Sequence, residues 1–105
     1  EGKETPQYQR AWFQLEAETV TDAETLEEMV ESDPDDLESR YELAVHYAAR
    51  GEHEPALEHL LAIVERDRSF RDDVGRETMI RIFRIMGMGS DEVRDWQRKL
   101  GRAMY

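Results

Sequence analysis

Apolar residues recur with a helical period on both sides of Gly51. Two runs of apolar or small residues follow steps of three and four: Leu37, Tyr41, Ala44, Val45, Tyr47 and Ala48 in the first, and Ala56, Leu57, Leu60, Leu61, Ile63 and Val64 in the second. This spacing predicts two helices that each bury one face. We place them at about 36–50 and 54–66.

Local start and stop signals support these two helices. Asp35 stands where an N-cap is expected, with Glu38 three residues later to complete a capping box. Gly51 is suited to the left-handed residue that ends a helix, and Pro55 fits the first turn of the next one. The segment therefore predicts a complete helical hairpin.

The residues before this hairpin predict two more helices. Thr5-Pro6 is an N-cap followed by proline, and it opens a helix to about Glu18 with one apolar face: Tyr8, Ala11, Trp12 and Leu15. Thr21 and Glu24 form a second capping-box pattern. It opens a short acidic helix that ends before Asp33-Pro34 and has the apolar positions Leu26, Met29 and Val30.

Two further helices are predicted after the hairpin. Ser69 and Asp72 can cap a helix over about 72–86, which is so apolar that we expect burial on two sides. Gly87 ends this helix and Ser90 caps the last one, in which Trp96 and Leu100 are expected to pack on the surface from Ile80 to Phe83. The prediction is an all-α fold of six helices in three antiparallel hairpins, stacked as a short right-handed solenoid.

The central hairpin resembles a tetratricopeptide repeat. The residues that match the pattern are Leu43, Ala44, Tyr47, Gly51, Ala56 and Leu60, and Asp67-Arg68 follows Asp33-Pro34 by one repeat length. The resemblance implies a single helical domain over 1–105, with a degenerate repeat at 1–33, the best match at 34–68 and a degenerate or capping hairpin at 69–105. It also implies a role in binding other proteins.

The C-terminal part is similar to a narrower family, the bacterial chaperedoxins, which join a thioredoxin-like domain to a tetratricopeptide segment. Asp67, Arg68, Phe70, Asp72 and Asp73 carry this similarity, together with the closing sequence VRDWQRKLGRAMY. The similarity implies a thioredoxin-like domain before Glu1, and chaperonin or unfolded clients as partners. The absence of an initial Met agrees with a piece of a longer protein.

The composition of the chain indicates its cell compartment and limits the classes of partner that it can bind. The chain has 39% hydrophobic residues, no cysteine and no long apolar run, which favours one folded, cytoplasmic domain. Its net charge of −11 disfavours nucleic acid and anionic membranes. The charge is uneven, because residues 1–40 hold 13 acids and 3 bases whereas residues 65–105 hold 8 acids and 10 bases.

Catalytic and metal-binding patterns are lacking in the sequence. His46, His53 and His59 have no spacing that would place two imidazoles on one helix face. No glycine-rich phosphate loop and no nucleophile beside a base is present. We therefore expect no enzyme activity, no metal and no cofactor.

Two surfaces are candidates for protein binding. The concave side of the stack would present Glu38, Tyr41, Val45, Ala48 and Ala49, as a groove for a partner, as a seat for the chain's own last helix, or as ordinary core. The last helix would present Arg94, Arg98 and Arg102 outside and Trp96 beneath.

The interpretation from the sequence is a protein-interaction module, the partner- or client-binding segment of a thioredoxin-fold co-chaperone. A generic repeat scaffold or oligomerisation domain is one alternative, and a regulatory domain of an enzyme is another. A homodimer through Met79, Met86 or Met88 is also considered.

Overall fold

A computed structural model describes residues 6–18 and 21–105, and this part of the chain folds into six α-helices and no strand. The helices are α1 (Pro6–Glu18), α2 (Ala23–Ser32), α3 (Leu37–Ala49), α4 (His53–Arg66), α5 (Val74–Met86) and α6 (Asp91–Met104). The predicted all-α class is confirmed. The cap predicted at Thr5-Pro6 and the side chains of Tyr8 and Leu15 lie outside the described residues.

Two of the predicted N-caps are wrong by one residue. Asp22 rather than Thr21 caps α2, and its Oδ1 accepts a hydrogen bond from the Glu24 N–H over 3.0 Å. Asp36 rather than Asp35 caps α3 and accepts from the Ser39 N–H over 3.1 Å. Asp35 lies in the preceding turn, where its carboxylate binds Arg66 over 2.8 Å.

The stop signals and the last N-cap are confirmed. Gly51 has a φ of +81° just after the end of α3, and Gly87, with a φ of +105°, ends α5. The Ser90 hydroxyl accepts from the Val93 N–H over 3.1 Å at the start of α6. These residues provide hydrogen-bond partners for backbone N–H and C=O groups at the helix ends, which have no partner within the helix.

The connection between α4 and α5 departs from the prediction. Arg71, Asp72 and Asp73 have φ values of 46°, 57° and 69°, so the chain cannot be a right-handed helix before Val74. Asp72 and Ser69 therefore do not cap α5. Asp73, the residue just before α5, makes no capping bond, and its carboxylate accepts from Arg76 Nε over 2.7 Å.

The helices pack around α3 and α4. These two form the predicted hairpin, with fully buried Ala44 and Ala56 in the shared core. On one side, α2 packs against α3 through Leu26 and Val30, although the predicted apolar residue Met29 is 42% exposed. On the other side, α5 and α6 pack against α4.

Helix α1 does not pair chiefly with α2, contrary to the predicted first hairpin. It lies against α3 and α5, where it covers the second apolar side of α5. The two-sided burial predicted for α5 is therefore confirmed. The contacts of α6 also differ from the prediction, because it packs more extensively against α4 than against α5.

Candidate functional site

The side chains predicted to line the concave groove lie in the hydrophobic core. Tyr41, Val45 and Ala48 are 5%, 1% and 3% exposed, in one cluster with the fully buried Phe13 of α1. The helix that packs against this side of α3 is therefore α1 and not the last helix. Burial raises the pKa of Tyr41, and the nearby Glu16 carboxylate adds to this effect.

Only one of the five predicted concave-side residues is exposed. Glu38 binds the Arg71 guanidinium over 2.9 Å, and that guanidinium also lies 5.0 Å from the centre of the Tyr41 ring. Ala49 is half-buried. This side of α3 thus offers a charged edge rather than an open apolar groove.

Polar contacts fix α1 in its position. Gln9 is buried and accepts a hydrogen bond from Arg81 Nη1 of α5 over 2.8 Å. The Arg81 guanidinium also lies 4.5 Å from the centre of the Trp12 ring, which meets Phe13 edge-on at 5.1 Å. Sequence reasoning missed Gln9 and Arg81, because a contact between helices that are far apart in the sequence leaves no local pattern.

The outer face of α6 is basic and exposed, as predicted. Arg94 and Arg98 each bind an acid of their own helix, Asp91 and Asp95, and both guanidinium-bearing side chains remain more than half exposed. Trp96 is only 5% exposed, so it contributes to the core as well as to this side of the molecule.

A groove of about 680 Å³ runs between α4 and α6, and we call it the α4/α6 groove. It is lined by Glu58, Leu61 and Glu65 of α4 and by Trp96, Lys99, Arg102 and Ala103 of α6. The Lys99 ammonium lies 4.3 Å from the centre of the Trp96 ring. Trp96 and Arg102 were predicted site residues, whereas Glu58 and Glu65 were not. Their seven-residue spacing with Leu61 between them is the signal that could have revealed them.

A second groove, of about 380 Å³, lies between α5 and α6 and is more apolar. Its lining includes Ile80, Phe83, Met88, Leu100, Met104 and Tyr105. Met88 is 49% exposed, but Met79 is fully buried and Met86 is half-buried. Met79 is therefore core and cannot form the dimer contact that the sequence suggested.

Residues 16–105 match the family model described as tetratricopeptide repeat. The chain belongs to the tetratricopeptide repeat family. Such repeats mediate protein–protein interactions. No curated protein and no solved structure matches the chain. The family match leaves out residues 6–15, which form most of α1, the helix whose packing differs most from the predicted stack.

Two histidines of this tetratricopeptide repeat domain, His46 and His59, have structural contacts. His46 Nε2 donates to the Thr21 carbonyl oxygen over 2.6 Å, and His59 Nδ1 accepts from Arg40 over 3.1 Å. His59 also stacks on Tyr47, whose hydroxyl donates to Glu27 over 2.6 Å. This hydrogen bond and partial burial raise the pKa of Tyr47 to about 12.

Among the described residues, no group of three or more histidine or carboxylate side chains could hold a metal ion. None of the repeat's described helices has the length and apolar character needed to cross a membrane.

Proposed function

We propose that this tetratricopeptide repeat domain binds a protein partner through the outer face of α6. The observation that carries the proposal is the basic, exposed surface of Arg94, Arg98 and Arg102 beside Trp96, in a chain whose net charge is −11. Tyr41, Val45 and Ala48 are core residues, so α6 offers the larger accessible candidate surface. Tryptophan and arginine are also enriched among residues that dominate binding energies.

We further propose that the partner is a chaperonin or an unfolded client, in the cytoplasm, and that the domain is the binding part of a thioredoxin-fold co-chaperone. The support is the similarity of the C-terminal part, carried by Asp67, Arg68, Phe70, Asp72 and Asp73, to the chaperedoxins. In this proposal the domain has no catalytic activity of its own. A generic repeat scaffold and a regulatory domain of an enzyme are the alternatives.

The test is a pull-down from bacterial lysate with three baits: the parent chain, the Arg94→Glu/Arg98→Glu variant and the Arg10→Glu/Arg50→Glu variant. The two variants change the net charge equally, but Arg10 and Arg50 are exposed residues of α1 and of the end of α3. Bound proteins are identified by mass spectrometry, and circular dichroism checks that each bait is folded.

We expect chaperonin subunits on the parent and on the Arg10/Arg50 variant, and several-fold less on the Arg94/Arg98 variant. Equal recovery by all three baits would refute the α6 surface. Recovery of neither chaperonin subunits nor client proteins by any bait would refute the chaperone proposal. Any residues encoded before Glu1 would then separate the alternatives: further repeats would indicate a scaffold, and a catalytic motif would indicate a regulatory domain.

A further inference from the structure

The two walls of the α4/α6 groove have opposite charge. Glu58 and Glu65 form the wall on α4, and Lys99 and Arg102 form the wall on α6. Within the described part of the chain, no ion pair within 4.0 Å joins these walls. Lys99 lies over the Trp96 ring instead. Both walls therefore present charges that have no ionic partner among the residues that the structure describes.

Between the walls lies an apolar strip. Leu61 and Ala103 are half-buried, and Trp96 lies beneath Lys99 with 5% of its surface exposed. Covering such a strip is favourable because it removes apolar surface from water. The flanking charges then determine which surface can bind there. The occupant must carry a basic row to face α4 and an acidic row to face α6.

A second copy of this chain carries those two rows in the required arrangement. We propose that two copies associate face to face across the α4/α6 groove, about a two-fold axis along it. The acidic wall of each copy then meets the basic wall of the other, and the two contacts are identical by symmetry. A foreign helix would need an unusual pattern of charges to match the same surface.

The size of the surface predicts a weak dimer. Helices α4 and α6 have 14 residues each, so each is about 21 Å long and about 10 Å wide. The two-helix face therefore covers on the order of 400 Å² per copy, about half of a standard interface. We expect association that is visible at high protein concentration and weakens when salt screens the charges.

Two double substitutions test the pairing. Lys99→Glu/Arg102→Glu makes both walls acidic, and Glu58→Lys/Glu65→Lys makes both walls basic. Sedimentation equilibrium at low salt should show a reversible dimer for the parent and an association constant at least about tenfold lower for each variant alone, because like charges then face each other twice.

An equimolar mixture of the two variants should restore the dimer. In the mixed pair the acidic wall of one copy meets a basic wall of the other at both contacts. Each double substitution changes the net charge by four, so both variants remain acidic from the parent value of −11 and general attraction cannot explain recovery. The Arg10→Glu/Arg50→Glu variant serves as control and should associate like the parent.

A parent chain that stays monomeric up to about millimolar concentration would overturn the proposal and leave the groove to a foreign partner. A mixture that fails to recover, with both variants folded by circular dichroism, would overturn it as well. The pull-down probes Arg94 and Arg98, which lie outside the groove, whereas Arg102 and Trp96 belong to both proposed surfaces.

Discussion

At Gly75, α5 lies close against α4. A Cβ atom at this position would lie 3.0 Å from Val64 Cγ2, 3.2 Å from Ile63 Cγ2 and 3.3 Å from the Leu60 carbonyl oxygen. We expect Gly75→Ala to lower the free energy of unfolding by about 1 to 3 kcal/mol, because overpacking outweighs the better helix propensity of alanine. Urea denaturation followed by circular dichroism measures this change.

Gly101 in α6 provides the matched control, because a Cβ there would meet nothing within 4 Å. Gly101→Ala should raise the free energy of unfolding by up to about 1 kcal/mol. If both substitutions changed stability in the same direction, the close approach at Gly75 would be refuted.

His59 should make stability depend on pH. Burial lowers its pKa below the ordinary value of 6.5, and the Arg40 guanidinium adds to this effect. The unfolded chain therefore takes up the proton first as the pH falls. We expect full stability above about pH 6.5 and a decline below it. Urea titrations at several pH values measure the slope.

His59→Gln should make this decline shallower. Some slope should remain, because burial lowers the pKa of His53 in the same direction, with Arg10 adding to it. An unchanged slope in the His59→Gln variant would contradict the assignment.

The caps illustrate what sequence reveals about single residues. The clusters around Thr21 and Asp35 correctly indicated that helices begin there, but several neighbouring residues can cap equally well. Asp36 caps α3, whereas Asp35 binds Arg66, which lies 31 positions away. Such a distant partner leaves no trace in the local pattern.

At the scale of helices, α1 shows the same limit. Apolar spacing predicts which face of a helix is buried, and Trp12 was placed on that face. The spacing does not say which helix covers the face. Helix α1 covers α3 and α5 because α5 has a second apolar side, and because Arg81 of α5 donates a hydrogen bond to Gln9 of α1. These two residues are 72 positions apart in the sequence.

The contribution of α1 can be measured with one substitution. Phe13 is fully buried among the apolar side chains of the main core. Phe13→Ala should lower the free energy of unfolding by about 3 to 5 kcal/mol, because it removes buried apolar area and leaves a cavity. Thermal and urea unfolding measure the loss.

Gln14, the next residue, is exposed and provides the control. Gln14→Ala should change the free energy of unfolding by less than about 0.5 kcal/mol. If Phe13→Ala were equally mild, α1 would not be part of the cooperative core.

At the scale of the whole molecule, the fold class and the repeat were predictable because they follow from periodic spacing and from small residues such as Ala44 and Ala56. The candidate binding surfaces were predictable only in part. The basic face of α6 belongs to one helix, so its residues could be identified directly. The α4/α6 groove combines Glu58 with Lys99, and only the packed structure brings these residues to one place.

The order of packing also separates charge in space. Helix α2 has four acids and no base, and it lies on the far side of α3 and α4 from α6, which has four bases and three acids. The molecule therefore has an electric dipole as well as a net charge. On a positively charged resin or electrode it should adsorb with α2 toward the surface and α6 toward the solution. Simple adsorption would thus present the molecules in one orientation, with the basic helix accessible to a soluble partner.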